Sequence, residues 1–127
     1  VTVFVVDDER PVMQLCVTIL ELQGHRVEGF TRGAELLARV AAVVPDLVVV
    51  DYKMPNLGGM EVVRRLRADH PELRVVLISG HSGPDLTHEA DHARVDAVLL
   101  KPFTPGELAR TVADLLNGTP TSPSSPG

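Results

Sequence analysis

A doubly wound α/β fold, one parallel sheet with helices on both faces, is what this sequence predicts. Apolar runs of strand length alternate with longer segments of helical period, and five such pairs can be counted. Several of the runs are near-continuous Val, Ile and Leu, the composition of strands buried on both faces. With 127 residues and 44% hydrophobic content, the chain can bury one core and has little room for a second.

The elements follow in order. Residues 3–6 form the first strand candidate, and Val12, Leu15, Cys16, Ile19 and Leu20 form a helical stripe behind it. Gly24 stands where a left-handed helix terminator belongs. A second strand is predicted over residues 25–30; after Thr31, the stripe Leu36, Leu37, Val40 and Ala41 predicts a second helix. Residues 47–50 form the third strand, and Val62, Val63 and Leu66 the buried face of a third helix that Pro71 helps to stop. Residues 74–78 supply the fourth strand. Residues 84–93 then offer only Leu86, Ala90 and Ala93 to a core among many polar neighbours, which predicts a short or mobile fourth helix. The fifth strand is residues 97–100. Thr104, Pro105 and Glu107 then give a capping Thr, Pro at the first helical position and Glu three residues after the cap, opening a helix that buries Leu108, Val112, Leu115 and Leu116. Residues 1–117 thus read as one domain. Residues 118–127, all Gly, Thr, Pro and Ser, cannot bury enough apolar surface to order themselves and read as a tail or linker.

Composition excludes several classes. No apolar run approaches the roughly 20 residues that cross a bilayer, and residues 1–6 lack the basic flank and cleavage site of a signal peptide. Cys16 lies at helical spacing among apolar residues and has no disulfide partner, so it reads as a small core residue in a reducing cytoplasm. A formal charge of −5 and a pI near 5.4 argue against nucleic-acid binding by this domain, which would need clustered Lys and Arg.

In an open parallel sheet, ligands bind outside the carboxyl ends of the strands. Here those ends carry Asp7, Asp8 and Glu9 after the first strand, Asp51 after the third, Ser79 after the fourth and Lys101 after the fifth. A lone Asp after a strand ordinarily caps a helix or makes a turn, but that reading gives no reason for Asp7, Asp8, Asp51, Ser79 and Lys101 to share one edge. Packed carboxylates repel unless a cation lies among them, and oxygen donors suit magnesium better than zinc. Lys101 opposite them suits a phosphoryl oxygen, Ser79 can donate to another, and a remaining carboxylate can act as nucleophile.

The runs VVDDE (residues 5–9) and DYKMPNLGG (residues 51–59), together with Ser79-Gly80 and Lys101-Pro102-Phe103, resemble the response-regulator receiver family in order and spacing, over about residues 1–117. The resemblance implies a flavodoxin-like strand order 2-1-3-4-5. It implies Asp51 as phosphoacceptor, and magnesium held by Asp8, Asp51 and the backbone carbonyl of Lys53, with Asp7 acting largely through water. Lys101 matches the family's lysine, Ser79 its switch hydroxyl, and Lys101-Pro102 its cis peptide. The aromatic switch position is Val98 here, and Arg94 and Val95 stand where many receivers have glycine after the fourth helix. Lys53 and His81, two residues after the phosphoacceptor and the switch serine, are expected to tune the lifetime of the phosphorylated state. Implied partners are a histidine kinase or histidine phosphotransfer domain, and an output domain or downstream protein reached through the fourth helix, fifth strand and fifth helix. The implied setting is cytoplasmic. As an isolated domain it would not be an enzyme, although the full-length protein could be a hybrid histidine kinase.

Three competing readings arise. His88, Glu89 and His92 spell H-E-x-x-H, which on a helix places two imidazoles one turn apart for zinc with Glu as general base, but no third ligand follows. A binding module that has lost phosphorylation would leave Asp7, Asp8, Asp51, Ser79 and Lys101 unexplained. A flavin protein of the same fold lacks support from a chain with one Tyr, no Trp and no phosphate-cradling loop.

Overall fold

The computed structural model describes residues 1–80 and 84–117, with only the backbone of Pro84 and Asp85. His81 and the expected tail over residues 118–127 lie outside the described residues. The strands are β1 (Thr2–Val6), β2 (Arg26–Phe30), β3 (Leu47–Asp51), β4 (Arg74–Ser79) and β5 (Ala97–Leu100). They form one sheet in the order β2-β1-β3-β4-β5, and every neighbouring pair is parallel. Between and after them run α1 (Arg10–Leu22), α2 (Gly33–Ala42), α3 (Gly59–Asp69), α4 (Pro84–His92) and α5 (Pro105–Leu116).

Side chains alternate across a strand, so the valine-rich runs feed two cores at once. Val3, Val5, Leu47, Val49, Val76 and Ile78 pack with residues of α1 and α5. Phe4, Val6, Val48, Val50, Val75 and Leu77 pack on the other face with residues of α2, α3 and α4. Each fully buried aliphatic side chain contributes roughly 1.5–3 kcal/mol, so the central strands β1 and β3 anchor the domain.

Differences from the sequence expectation lie at the margins. Leu15, expected in the core stripe of α1, is 52% exposed, and Met13 is buried instead. The buried stripe is Met13, Cys16, Ile19 and Leu20, and Leu15 sits one residue, about 100° around the helix, from Cys16. Ala41 is likewise exposed, while Leu36 and Val40 carry α2. His25 precedes β2 rather than joining it, whereas Asp51 and Ser79 are the last residues of their strands. That last difference matters, because both side chains are thereby fixed by the sheet and not by a loop.

Two helix ends show how local chemistry sets the connections. Gly24 has φ +92° beyond α1, the left-handed conformation that favours glycine. Arg94 takes the same role after α4 with φ 57°, its N–H donating to the Asp91 carbonyl (3.1 Å) while the Val95 N–H reaches the Ala90 carbonyl (3.0 Å). A side chain in that region costs about 1–2 kcal/mol. Arg67 offsets it. Its guanidinium donates to the carbonyls of Arg94 (2.7 Å), Ala93 (3.3 Å), Pro71 (3.2 Å) and Leu73, and to the carboxylate of Asp96 (3.0 Å). The same Asp96 oxygen accepts from the Val75 N–H (2.7 Å), so one buried arginine ties the end of α3 to the turn between α4 and β5.

Candidate functional site

The parallel sheet brings the ends of β1, β3, β4 and β5 to one edge, and the polar residues singled out in the sequence gather there. Asp7 is 1% exposed, Asp51 4% and Ser79 1%, in a chain whose other fully described buried residues are nearly all apolar. Burial of that kind requires partners. Asp7 Oδ1 accepts from the backbone N–H of Glu9 (2.9 Å), which also fixes the chain as it enters α1. Lys101 Nζ lies 3.5 Å from Asp7 Oδ2, 3.4 Å from Asp51 Oδ1 and 3.9 Å from Glu9 Oε1, so one ammonium faces three carboxylates. The Lys101–Pro102 peptide is cis, as the resemblance implied. The backbone N–H of Lys101 donates to the Ser79 carbonyl (2.8 Å), which holds the ends of β4 and β5 together.

The electrostatics follow from crowding. Burial, and then the charge of Asp7, push Asp51 up to about 7 against the pull of Lys101. Burial also raises Asp7, opposed by the Glu9 N–H and by Lys101. Burial by itself would lower Lys101, but the charges of Asp7 and Asp51 outweigh it and leave the ammonium raised. The edge therefore carries more negative charge than its lysine neutralises. Asp7, Asp8 and Asp51 each present a carboxylate oxygen, all within 4.8 Å of one another. Three hard oxygen donors around an uncompensated negative charge fit a small divalent cation such as magnesium.

Beside them opens a cleft of about 630 Å³ lined by Asp8, Glu9, Asp51, Lys53, Met54 and Lys101, among others. Lys53 is exposed at its wall. Its loop is short because α3 begins against the backbone that follows Asp51. A Cβ on Gly59 would meet the Asp51 carbonyl oxygen at 2.1 Å, so only glycine permits the approach. Val98 lies apart from the cleft on edge strand β5, paired with Leu77 and 41% exposed. Cys16 is buried, and burial pushes its thiol up to about 11, which leaves it unreactive.

The structure also brings together what the sequence did not reveal. The Tyr52 hydroxyl donates to Glu89 Oε1 (2.7 Å), joining the residue after Asp51 to α4, and Arg64 Nη2 stands 3.6 Å from the other Glu89 oxygen. No spacing rule links residues 52 and 89. Glu9 was visible in the acidic run, but its approach to Lys101 depends on how α1 starts. The zinc-protease reading fails on the same contacts, because Glu89 faces Tyr52 and Arg64 rather than a metal-bound water. Among the described residues, the acidic triplet is the one group of three or more potential metal ligands.

A parallel α/β domain with an acidic triplet and a lysine at the carboxyl edge of its sheet belongs among the phosphoryl-accepting signalling domains. The comparisons define that class further. The sequence profile described as "Response regulator receiver domain" matches residues 3–113, and the chain belongs to that family. It is 33% identical over 120 residues to the transcriptional regulatory protein CreB of Escherichia coli K12, covering 91% of this chain and 50% of CreB. It is 34% identical over 119 residues to the response regulator MprA of Mycobacterium bovis, covering 94% of this chain and 52% of MprA. The chain thus spans about half the length of these curated relatives. A CheY-like receiver domain from Methanospirillum hungatei superposes with a TM-score of 0.88 over 92% of this chain and 94% of its own, at 24% identity, a likeness of fold. This chain is a phosphoacceptor-type receiver domain of a two-component system. None of its described helices is long and apolar enough to cross a membrane.

Proposed function

We propose that Asp51 receives a phosphoryl group from a phosphohistidine on a histidine kinase or histidine phosphotransfer domain, becoming an aspartyl phosphate. The observation that carries this reading is the position of Asp51: buried at the last residue of β3, 3.4 Å from Lys101 and within the acidic triplet. An Asp51 carboxylate oxygen attacks phosphorus in line, the N–P bond of the donor breaks, and the donor imidazole leaves with its electron pair. Lys101, already 3.4 Å from Asp51, follows the carboxylate oxygen and pairs with a phosphoryl oxygen as charge develops there. The Ser79 hydroxyl, at the end of the adjacent strand, donates to another. Asp7, Asp8, Asp51 and the backbone carbonyl of Lys53 would hold magnesium, which neutralises charge on the carboxylates and the phosphoryl group when bound. Asp7, held by the Glu9 N–H and Lys101, keeps its place and acts on the cation chiefly through water.

Output follows through α4, β5 and α5. Support for that face comes from β5, an edge strand with Val98 and Leu100 both exposed. Ser79 and Val98 form the switch pair, with Val98 too small for an aromatic rotation. Lys53 and His81 set the lifetime: a protonated lysine lacks an acceptor to orient attacking water and can lie against phosphoryl oxygens. We place the domain in a longer cytoplasmic two-component protein, response regulator or hybrid histidine kinase, with residues 118–127 as the link. Coverage of about half of CreB supports this placement. The isolated domain assists its own phosphorylation and dephosphorylation and has no other activity.

The deciding experiment is phosphotransfer from acetyl phosphate or a labelled kinase. Asp51→Asn, which keeps the shape and loses the nucleophile, abolishes incorporation while its circular dichroism matches wild type, and chelation of magnesium abolishes it in wild type. Stoichiometric label on the Asp51→Asn protein would overturn the assignment.

A further inference from the structure

One sequence motif remains unused by this function. His88 and His92 stand one turn apart on α4, both exposed, with ring centroids 6.2 Å apart and planes 20° from parallel. Imidazoles at positions i and i+4 share a helix face, and small rotations of two solvent-exposed side chains bring one nitrogen of each to a common ion. We infer that α4 carries a chelating site for a divalent transition-metal ion of the zinc or nickel type, bound by His88 and His92 with water completing its shell.

The chemistry separates this site from the acidic edge. Imidazole nitrogen favours zinc and nickel over magnesium, whereas the Asp7, Asp8 and Asp51 oxygens favour the hard cation. The protein can therefore hold both classes of ion at once. Glu89 lies between the two histidines in sequence but does not join them, because its carboxylate is engaged by Tyr52 (2.7 Å) and Arg64 (3.6 Å). That division excludes hydrolysis: the metal has two protein ligands, and the residue that would serve as general base faces away from it.

A chelate spanning one turn forms only while that turn is helical, so the ion stabilises α4 relative to its opened form. α4 is the helix where this has most effect, since among its described side chains only Leu86 and Ala90 are buried, with Ala93 just after it. The same turn carries Glu89 and hence the contact to Tyr52, the neighbour of Asp51. A metal on the histidines thereby fixes the segment that meets the phosphoacceptor loop, without touching the acidic triplet.

The test is titration of the whole 127-residue chain with zinc or nickel at pH 7.5, in excess magnesium so that the acidic triplet is filled, followed by calorimetry and by imidazole NMR resonances. One ion binds per chain, the resonances of His88 and His92 move together, and amide protection across residues 86–93 rises with the ion. His88→Ala and His92→Ala each weaken binding by roughly tenfold or more, the loss of one of two chelating ligands. Both substitutions are at exposed positions, and unchanged circular dichroism without metal shows that the fold is intact. Asp51→Asn binds zinc as wild type does. Undiminished binding by both histidine variants, loss of binding in Asp51→Asn, or no saturation below millimolar zinc would each overturn the site.

Discussion

α5 follows β5 and α4 precedes it, yet the two helices are anchored very differently. α5 opens with a reciprocal cap, the Glu107 N–H donating to Thr104 Oγ1 (3.0 Å) and the Thr104 N–H to Glu107 Oε1 (2.9 Å), and it buries Leu108, Val112 and Leu115. Among its described side chains α4 buries Leu86 and Ala90, and it is followed by a buried Ala93 and a non-glycine left-handed residue, Arg94. Replacing a Val and a Leu by two alanines forgoes about five buried carbons, or roughly 4 kcal/mol at about 0.8 kcal/mol each. What α4 has in exchange is polar and directional: Glu89 on Tyr52, and the Arg67 clamp on its final turn. A receiver needs one side that stays and one side that can change state, and the sequence distributes apolar carbon accordingly.

The sharpest way to break this comparison is to truncate one leucine in each helix. Leu108→Ala should lower global stability by about 3 kcal/mol, within the range for a fully buried leucine. Leu86→Ala should cost clearly less in the urea midpoint and appear instead as faster amide exchange confined to α4. Equal losses from the two variants would mean that α4 belongs to the same cooperative unit as α5.

The charged edge gives the next largest effect. Folded Asp51 keeps its proton up to about pH 7, because burial and Asp7 resist its ionisation, whereas an unfolded carboxyl releases it near pH 4. Between those values the folded state binds more protons, so the stability of the magnesium-free chain falls as pH rises, by roughly 2–3 kcal/mol from pH 5 to pH 7. Urea midpoints at pH 5 and pH 8 without divalent ions check the sign. Saturating magnesium should flatten the difference, and a metal-free chain more stable at pH 8 would contradict the charge crowding described here.

Much of this was legible beforehand, for identifiable reasons. The strand runs of Val, Leu and Ile report burial on both faces, and the Thr104–Glu107 pair reports a helix start, because each signal is local. Asp7, Asp8, Asp51, Ser79 and Lys101 can be gathered from the sequence because a parallel sheet aligns strand ends. Leu15 was misplaced because periodicity locates a stripe only to within about one residue. The Tyr52–Glu89 bond and the five donations of Arg67 were invisible, since they depend on how loops distant in sequence are folded against one another.

Smaller changes adjust the helix ends directly. Thr104→Ala removes the cap of α5 and should cost about 1 kcal/mol. Arg94→Gly relieves the left-handed strain after α4 and should stabilise by about 1 kcal/mol, since the clamp from Arg67 reaches the carbonyl of residue 94 and not its side chain. A loss of stability in Arg94→Gly would show that the arginine side chain itself holds the turn.

The smallest expected effect bears most directly on how the site communicates with α4. Tyr52→Phe removes one half-buried hydrogen bond to a carboxylate and should lower global stability by only about 1 kcal/mol. Its consequence should be local, because Glu89 then keeps only the exposed, longer contact to Arg64, worth at most about 1 kcal/mol. Amide exchange across residues 86–93 should quicken severalfold while the amides of α5 stay as they were. Tyr52 is the one tyrosine in a chain without tryptophan, so its intrinsic emission reports the same contact in solution. Glu89→Gln replaces a carboxylate acceptor, which quenches phenol emission, with an amide that quenches less, and should brighten the protein. If phosphorylation at Asp51 moves α4 through this contact, acetyl phosphate with magnesium should change the emission of wild type and leave Glu89→Gln unaffected. An identical response in both proteins would place the route to α4 elsewhere, through β4 and the Ser79 segment, and would leave the Tyr52–Glu89 bond a structural tie alone.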